Sequence, residues 1–132
     1  MGGFKPIGLR GIKEAPTFNN NTAAPITTTG RGKPAMIASA TGLDVKLATA
    51  GAIIAGIVAD VNRKLDSDAN AVDVTLETTG YHYVTCNTDS DAPVVNGFVV
   101  ANGSGGVKKS ATATNAYCVY VSSGYAWIKL LG

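Results

Sequence analysis

From Ala35 onward the chain consists of short apolar runs cut by Gly, Asn, Asp and Ser at intervals of about ten residues. That spacing belongs to antiparallel sandwiches and barrels, where every strand is brief and must soon reverse. The runs predict strands at 35–38, 45–48, 72–78, 81–86, 94–101, 106–110, 117–121 and 125–130. Alternation is clearest at Val72, Val74 and Leu76 and again at Tyr117, Val119 and Val121, so one face of each of these strands is expected to be buried. Thr79-Gly80, Asn102-Gly103-Ser104-Gly105-Gly106 and Ser122-Ser123-Gly124 supply the turns between them. Gly and Asn suit such turns because they enter positive φ at little cost.

One segment reads two ways. Ile53, Ile54, Ile57, Val58, Val61 and Leu65 follow the spacing of a helix face, with Asn62, Arg63 and Lys64 opposite. Gly51 and Gly56 weaken a helix, and we favour a strand through 53–58. An internal match points the same way. Sliding the chain by 63 residues lays Ile37-Ala38 on Val100-Ala101, Gly42 on Gly105, Lys46 on Lys109 and Ala48-Thr49-Ala50 on Ala111-Thr112-Ala113 without a gap. Two related β units, 35–65 and 98–131, are one account of this match. Chance is the other, in a chain so rich in Ala, Thr and Gly.

Residues 1–34 differ in texture. They carry Lys5, Arg10, Lys13, Arg31 and Lys33 against Glu14 alone, a net charge of +4, and Pro6, Pro16, Pro25 and Pro34 interrupt any helical period. The whole chain is only +2, so the remainder is slightly acidic. The expected organisation is an extended N-terminal arm over 1–34 and a β-rich body over 35–132, an all-β fold built as a small antiparallel barrel or sandwich. Within the arm, Ile7-Gly8-Leu9-Arg10-Gly11-Ile12 is apolar and flexible, suited to lying along another chain. No secretory signal is visible at the N-terminus. The longest apolar run, 47–59, has 13 residues against the roughly 20 that span a bilayer, so no membrane partner is expected.

The chain is poor in reactive groups. His82 is the sole histidine and Cys86 and Cys118 the sole cysteines, too few and too scattered for a zinc site or a Ser/His/Asp triad. His82 reads as an ordinary strand residue and the cysteines as reduced packing residues. Asp66, Asp68, Asn70 and Glu77 fall at positions 1, 3, 5 and 12 of a calcium loop. Ala71 stands where that loop needs Gly, however, and a strand follows where it needs a helix. A solvated turn is the better reading. Gly103 to Lys109 lacks the pattern of a phosphate loop and reads as a hairpin tip. The basic stripe is dilute, and the tyrosines are not interleaved with Lys or Arg as a stacking platform would be, so nucleic acid is not expected as a partner. Trp127 and Tyr120 are expected in the core or in a subunit interface rather than in a ligand platform. Neither an enzymatic activity nor a cofactor nor a metal is expected.

A resemblance gives these exclusions a direction. The stretch from Pro34 to Val58, with Gly42, Lys46, Ala48-Thr49-Ala50, Gly51 and Ile54-Ala55-Gly56-Ile57-Val58, resembles the capsid decoration, or cement, proteins of tailed bacteriophages. The segments Gly97 to Ala101, Lys109-Ser110-Ala111-Thr112 and Tyr125 to Leu131 share that cadence. The resemblance implies a small β-barrel or sandwich on the exterior of the virion, made in the host cytoplasm. It further implies a homotrimer that stabilises the capsid by bridging major capsid protein subunits. In that setting the arm would order on binding, with Phe4, Ile7, Leu9 and Ile12 as buried anchors and Lys5, Arg10 and Lys13 as salt-sensitive contacts. The alternative is a fibre or surface recognition module that binds a host glycan or protein through its polar loops at 87–91 and 102–106.

Overall fold

The computed structural model describes residues 15–40, 44–63 and 71–131, and within them the chain is all-β. The strands in chain order are β1 (Thr17–Asn20), β2 (Pro34–Ile37), β3 (Asp44–Leu47), β4 (Gly56–Arg63), β5 (Ala71–Glu77), β6 (Thr79–Thr85), β7 (Val99–Ala101), β8 (Val107–Lys109), β9 (Ala116–Ser122) and β10 (Tyr125–Leu131). A single 3-10 turn, η1 (Thr28–Gly30), lies between β1 and β2. The acidic turn read at 66–70, together with Leu65, lies outside the described residues.

The first five strands form a closed barrel in the order β1-β3-β2-β4-β5. β1 closes it, bonded parallel to β3 through Asn19↔Asp44 and antiparallel to β5 through Phe18↔Val74. Five strands leave a narrow interior. Small and β-branched side chains fill it: Ala35, Val45, Val58, Val61, Val74 and Leu76 are buried, with Phe18 and Ala55 packed against them. Ile26 adds to this cluster, and the buried Asn20 fixes its backbone from both sides. Asn20 Nδ2 donates to the Ile26 carbonyl at 2.8 Å, and the Ile26 N–H donates to Asn20 Oδ1 at 2.7 Å. A buried amide left without partners would cost about 1–3 kcal/mol, so this reciprocal pair is what lets an Asn sit there. Residues 17–30, read from sequence as part of the arm, are therefore barrel structure, while 1–14 lie outside the described residues.

The second half has a three-stranded sheet, β6-β10-β9, and a hairpin, β7-β8. Isolated bridges join them, Cys86↔Val107 parallel and Phe98↔Tyr117 antiparallel. Val84, Val99, Val107, Cys118, Ala126 and Ile128 fill the space between. The same cluster takes in Ala48, Ile54 and Ile57 of the first half, so the two halves share an apolar seam. Polar bonds cross it as well: Gly51 N donates to the Ala101 carbonyl at 2.9 Å, Ala101 N to that of Ala52 at 3.1 Å, and Asn115 Nδ2 to that of Ile54 at 2.7 Å.

Several expectations are refined by this geometry. The ambiguous apolar segment is a strand, β4, and it starts at Gly56 rather than at residue 53. The strand expected at 94–101 is confined to Val99–Ala101. Before it Asn96 adopts φ +69, and the Gly97 N–H donates to the Val94 carbonyl at 2.7 Å, a tight turn that the apolar Val94-Val95 pair concealed. The apolar face read at Tyr117, Val119 and Val121 is not one face. A bulge at Val119, where the register shifts between Trp127 and Ile128, turns Val119 and Tyr120 outward together while Ala116 and Cys118 point inward.

One glycine in the second half is indispensable by space alone. A Cβ on Gly106 would fall 2.3 Å from the Thr85 carbonyl oxygen, at the joint between β6 and the β7-β8 hairpin. Gly106→Ala is expected to lower stability by about 1–3 kcal/mol in urea unfolding, the range for forced overpacking.

Candidate functional site

Alternation along β6 and β10 sends His82, Val84, Ala126, Ile128 and Leu130 inward, which leaves the intervening side chains on the outer face. The pairings Lys129↔Tyr81, Trp127↔Tyr83 and Tyr125↔Thr85 set those side chains in rows. β9 extends the rows through Lys129↔Tyr117, Trp127↔Tyr120 and Tyr125↔Ser122. Three strands by three rows thus carry six aromatic rings. The chain has five tyrosines and one tryptophan, so all of them lie on this one face.

The rings are ordered against one another. Tyr83 stacks on Tyr125 with centroids 5.1 Å apart and planes 5° from parallel, and Trp127 leans on Tyr83 at 5.1 Å and 47°. Lys129 Nζ stands 5.3 Å above the Tyr81 ring, a cation–π contact. Tyr81, Tyr83, Tyr120, Tyr125 and Trp127 nonetheless remain between 42% and 56% exposed. Trp127 and Tyr120, expected in the core or an interface, are therefore far from the core and form part of a solvent-facing platform. The bulge at Val119 brings Tyr120 onto it; unbroken alternation from Cys118 would have turned Tyr120 inward.

The other residues singled out from sequence are placed as follows. Phe4, Lys5, Ile7, Leu9, Arg10, Ile12 and Lys13 lie outside the described residues. His82 is buried on β6; its Nε2 lies 2.9 Å from the Thr79 carbonyl and so donates to it, and its Nδ1 faces Glu77 Oε1 at 3.5 Å. The loops at 87–91 and 102–106 come together. Asn102 Nδ2 donates to Asn87 Oδ1 at 3.0 Å, while Asn102 Oδ1 accepts from the Ser104 and Gly106 N–H groups. Asp89 Oδ1 accepts the Asp91 N–H at 2.9 Å. Arg31 meets Asp60 at 2.7 Å in an exposed pair of the kind worth little to stability.

Among the described residues no group of three or more His, Cys, Asp or Glu side chains is gathered as metal ligands, and no helix is long and apolar enough to cross a membrane. A shallow cleft of about 390 Å³ opens at the seam between the halves, walled by Met36, Ile37, Ile53 and Ile54. Its polar wall is Asn115, whose Oδ1 is buried without a hydrogen-bond partner. Compared with protein-family models, curated proteins and solved structures, the chain matches none.

Three groups have displaced pKa values. Hydrogen bonds from Ser39 and from Asn21, the latter at 2.9 Å, hold the Asp44 carboxyl below its ordinary value. Burial pushes both free thiols, Cys86 and Cys118, up. For the carboxylate, the stabilisation is present above the ordinary carboxylate pKa and is lost as pH falls through the depressed one. For the thiols it is present below the ordinary thiol pKa and is lost as pH rises through the raised one. Asn21→Ala is expected to move the Asp44 titration upward toward 3.8 when followed by NMR. With an aromatic disulfide reagent at pH 8, the half-buried Cys86 is expected to react in the native protein and the buried Cys118 only on unfolding.

Proposed function

We propose that this chain is a non-enzymatic structural protein that binds the outer surface of a viral capsid and stabilises it by bridging major capsid protein subunits. The observation that carries this reading is the platform itself, where every tyrosine and the tryptophan of the chain stand on one exposed sheet face. Tyrosine and tryptophan give large contact area at small entropic cost, and their polar ends keep them soluble before a partner arrives. An obligate self-interface is more hydrophobic throughout, like a core cut in half. Hydroxyl-bearing rings suit a molecule that folds first and docks afterwards.

The platform measures about 15 by 20 Å from strand spacing and residue rise, on the order of 300 Å². A stable two-partner interface needs roughly 800 Å² per side. One platform is therefore a weak contact, and repeated subunits on a shell are the setting in which weak contacts add, because each further contact forms at high effective concentration. Oligomerisation as a trimer and engagement of the leader through Phe4, Ile7, Leu9 and Ile12, with Lys5, Arg10 and Lys13 beside them, supply the rest of the attachment.

A second reading has one observation in its favour. The loops at 87–91 and 102–106 are tied together next to the end of the platform at Thr85 and Tyr125, a polar rim beside stacked rings that suits a host glycan. Sedimentation separates the two. The purified protein is expected to pellet with undecorated capsid shells and not with host cells; pelleting with cells alone would favour the glycan. Deleting residues 1–13 is expected to leave the fold intact by circular dichroism while cutting retention on shells at least tenfold.

A further inference from the structure

The two halves of the molecule are one object built twice. Advancing β1 by 66 residues, β2 by 64, β3 by 62, β4 by 60 and β5 by 52 lands them on β6, β7, β8, β9 and β10, and the pairings move with them. Thr17↔Thr75 becomes Tyr83↔Trp127, Val58↔Leu76 becomes Cys118↔Ile128, and Met36↔Lys46 becomes Val100↔Lys108. The parallel bridge Asn20↔Val45 becomes Cys86↔Val107, and Pro34↔Ile57 becomes Phe98↔Tyr117. The bulge at Ala59 becomes the bulge at Val119.

Bonds outside the strands repeat as well. Gly32 N to the Val58 carbonyl and Val58 N to that of Lys33 reappear as Asn96 N to Cys118 and Cys118 N to Gly97. Gly32 at φ +80 is answered by Asn96 at φ +69. The second half is thus a barrel of the same plan as the first, in the order β6-β8-β7-β9-β10. No strand repeats at the 63-residue offset read from the sequence, which laid Lys46 on Lys109 where the register gives Lys108, and the repeating units are 17–77 and 79–131 rather than 35–65 and 98–131.

The first barrel therefore shows what this backbone needs on its outer face. Tyr83, Trp127, Tyr125 and Tyr120 correspond to Thr17, Thr75, Asp73 and Asp60, Tyr81 to Ala15 and Lys129 to Glu77. Tyr117 corresponds to Ile57, which the first barrel uses in the seam. The fold thus accepts threonine and aspartate where the second barrel has rings, and packing does not explain the rings. Resting on the capsid reading above, we infer that, of the two barrels, only the second docks through its outer face, beside the leader, and that its platform takes a folded protein surface repeated on a lattice rather than a second copy of this chain. The footprint, less than half of what a lone dimer requires, is the reason for that choice.

The first barrel also supplies fold-tested replacements. A variant with Tyr83→Thr, Tyr120→Asp, Tyr125→Asp and Trp127→Thr is expected to melt cooperatively within about 10 °C of the wild type. It is expected to keep the wild-type mass in sedimentation equilibrium and to lose retention on undecorated shells at least tenfold. In the wild type, Trp127 emission is expected to become shielded from acrylamide once shells are added. Full retention of the folded variant would overturn the assignment and leave the capsid reading standing. A wild type that shells do not retain would overturn that reading first. A dimer lost only in the variant would make the occupant a second copy, contrary to the inference. Should the fourfold variant fail to fold while the single Trp127→Thr and Tyr83→Thr variants retain full binding, the inference also falls.

Discussion

A five-stranded sheet closes only if its first strand finds a partner on each side, and here that strand must run parallel to the third. The crossover this demands is the stretch from Asn21 to Lys33, drawn over the barrel by Ile26 and held by the two hydrogen bonds of the Asn20 amide. Closure fixes the rest. A narrow lumen is filled mostly by Ala, Val, Leu and Ile, with Phe18 packed against them, which is why a chain with few large apolar residues can have a packed interior at all. The tyrosines and the tryptophan stand on the outer face of the second half instead, although the lumen of the first barrel has room for the ring of Phe18.

The strands, their turns and the all-β class were legible in the sequence because alternation and turn chemistry act locally. β1 was not legible: Thr17-Phe18-Asn19-Asn20 is short and half polar, and it is a strand only because β3 and β5 offer it bonds. Nor was the bulge, since the alternation at Tyr117, Val119 and Val121 is satisfied as well by the wrong face as by the right one. The duplication was not legible at its true spacings, because insertions between strands give one repeat five different offsets and the 63-residue match falls on none of them. The platform was hidden for another reason. Its rings come from three strands separated by up to 46 residues, Tyr81 to Trp127, and only the register sets them in rows.

The platform and the interior obey different economies of water. Inside, burial of apolar area stabilises the barrel and tolerates almost any aliphatic residue of the right size. On the face, each ring keeps a dry body and a wet tip, and mutual stacking of Tyr83, Tyr125 and Trp127 holds them in place without hiding them. Such a surface loses little ordering entropy on contact because its side chains are already arranged.

Closure also governs how the molecule behaves in a crowd. A sheet that ends on itself has no long row of vacant amides to offer, so neighbouring copies have little opportunity to zip into fibres through their backbones. A polypeptide of this build leaves side chains rather than strands to decide what it joins.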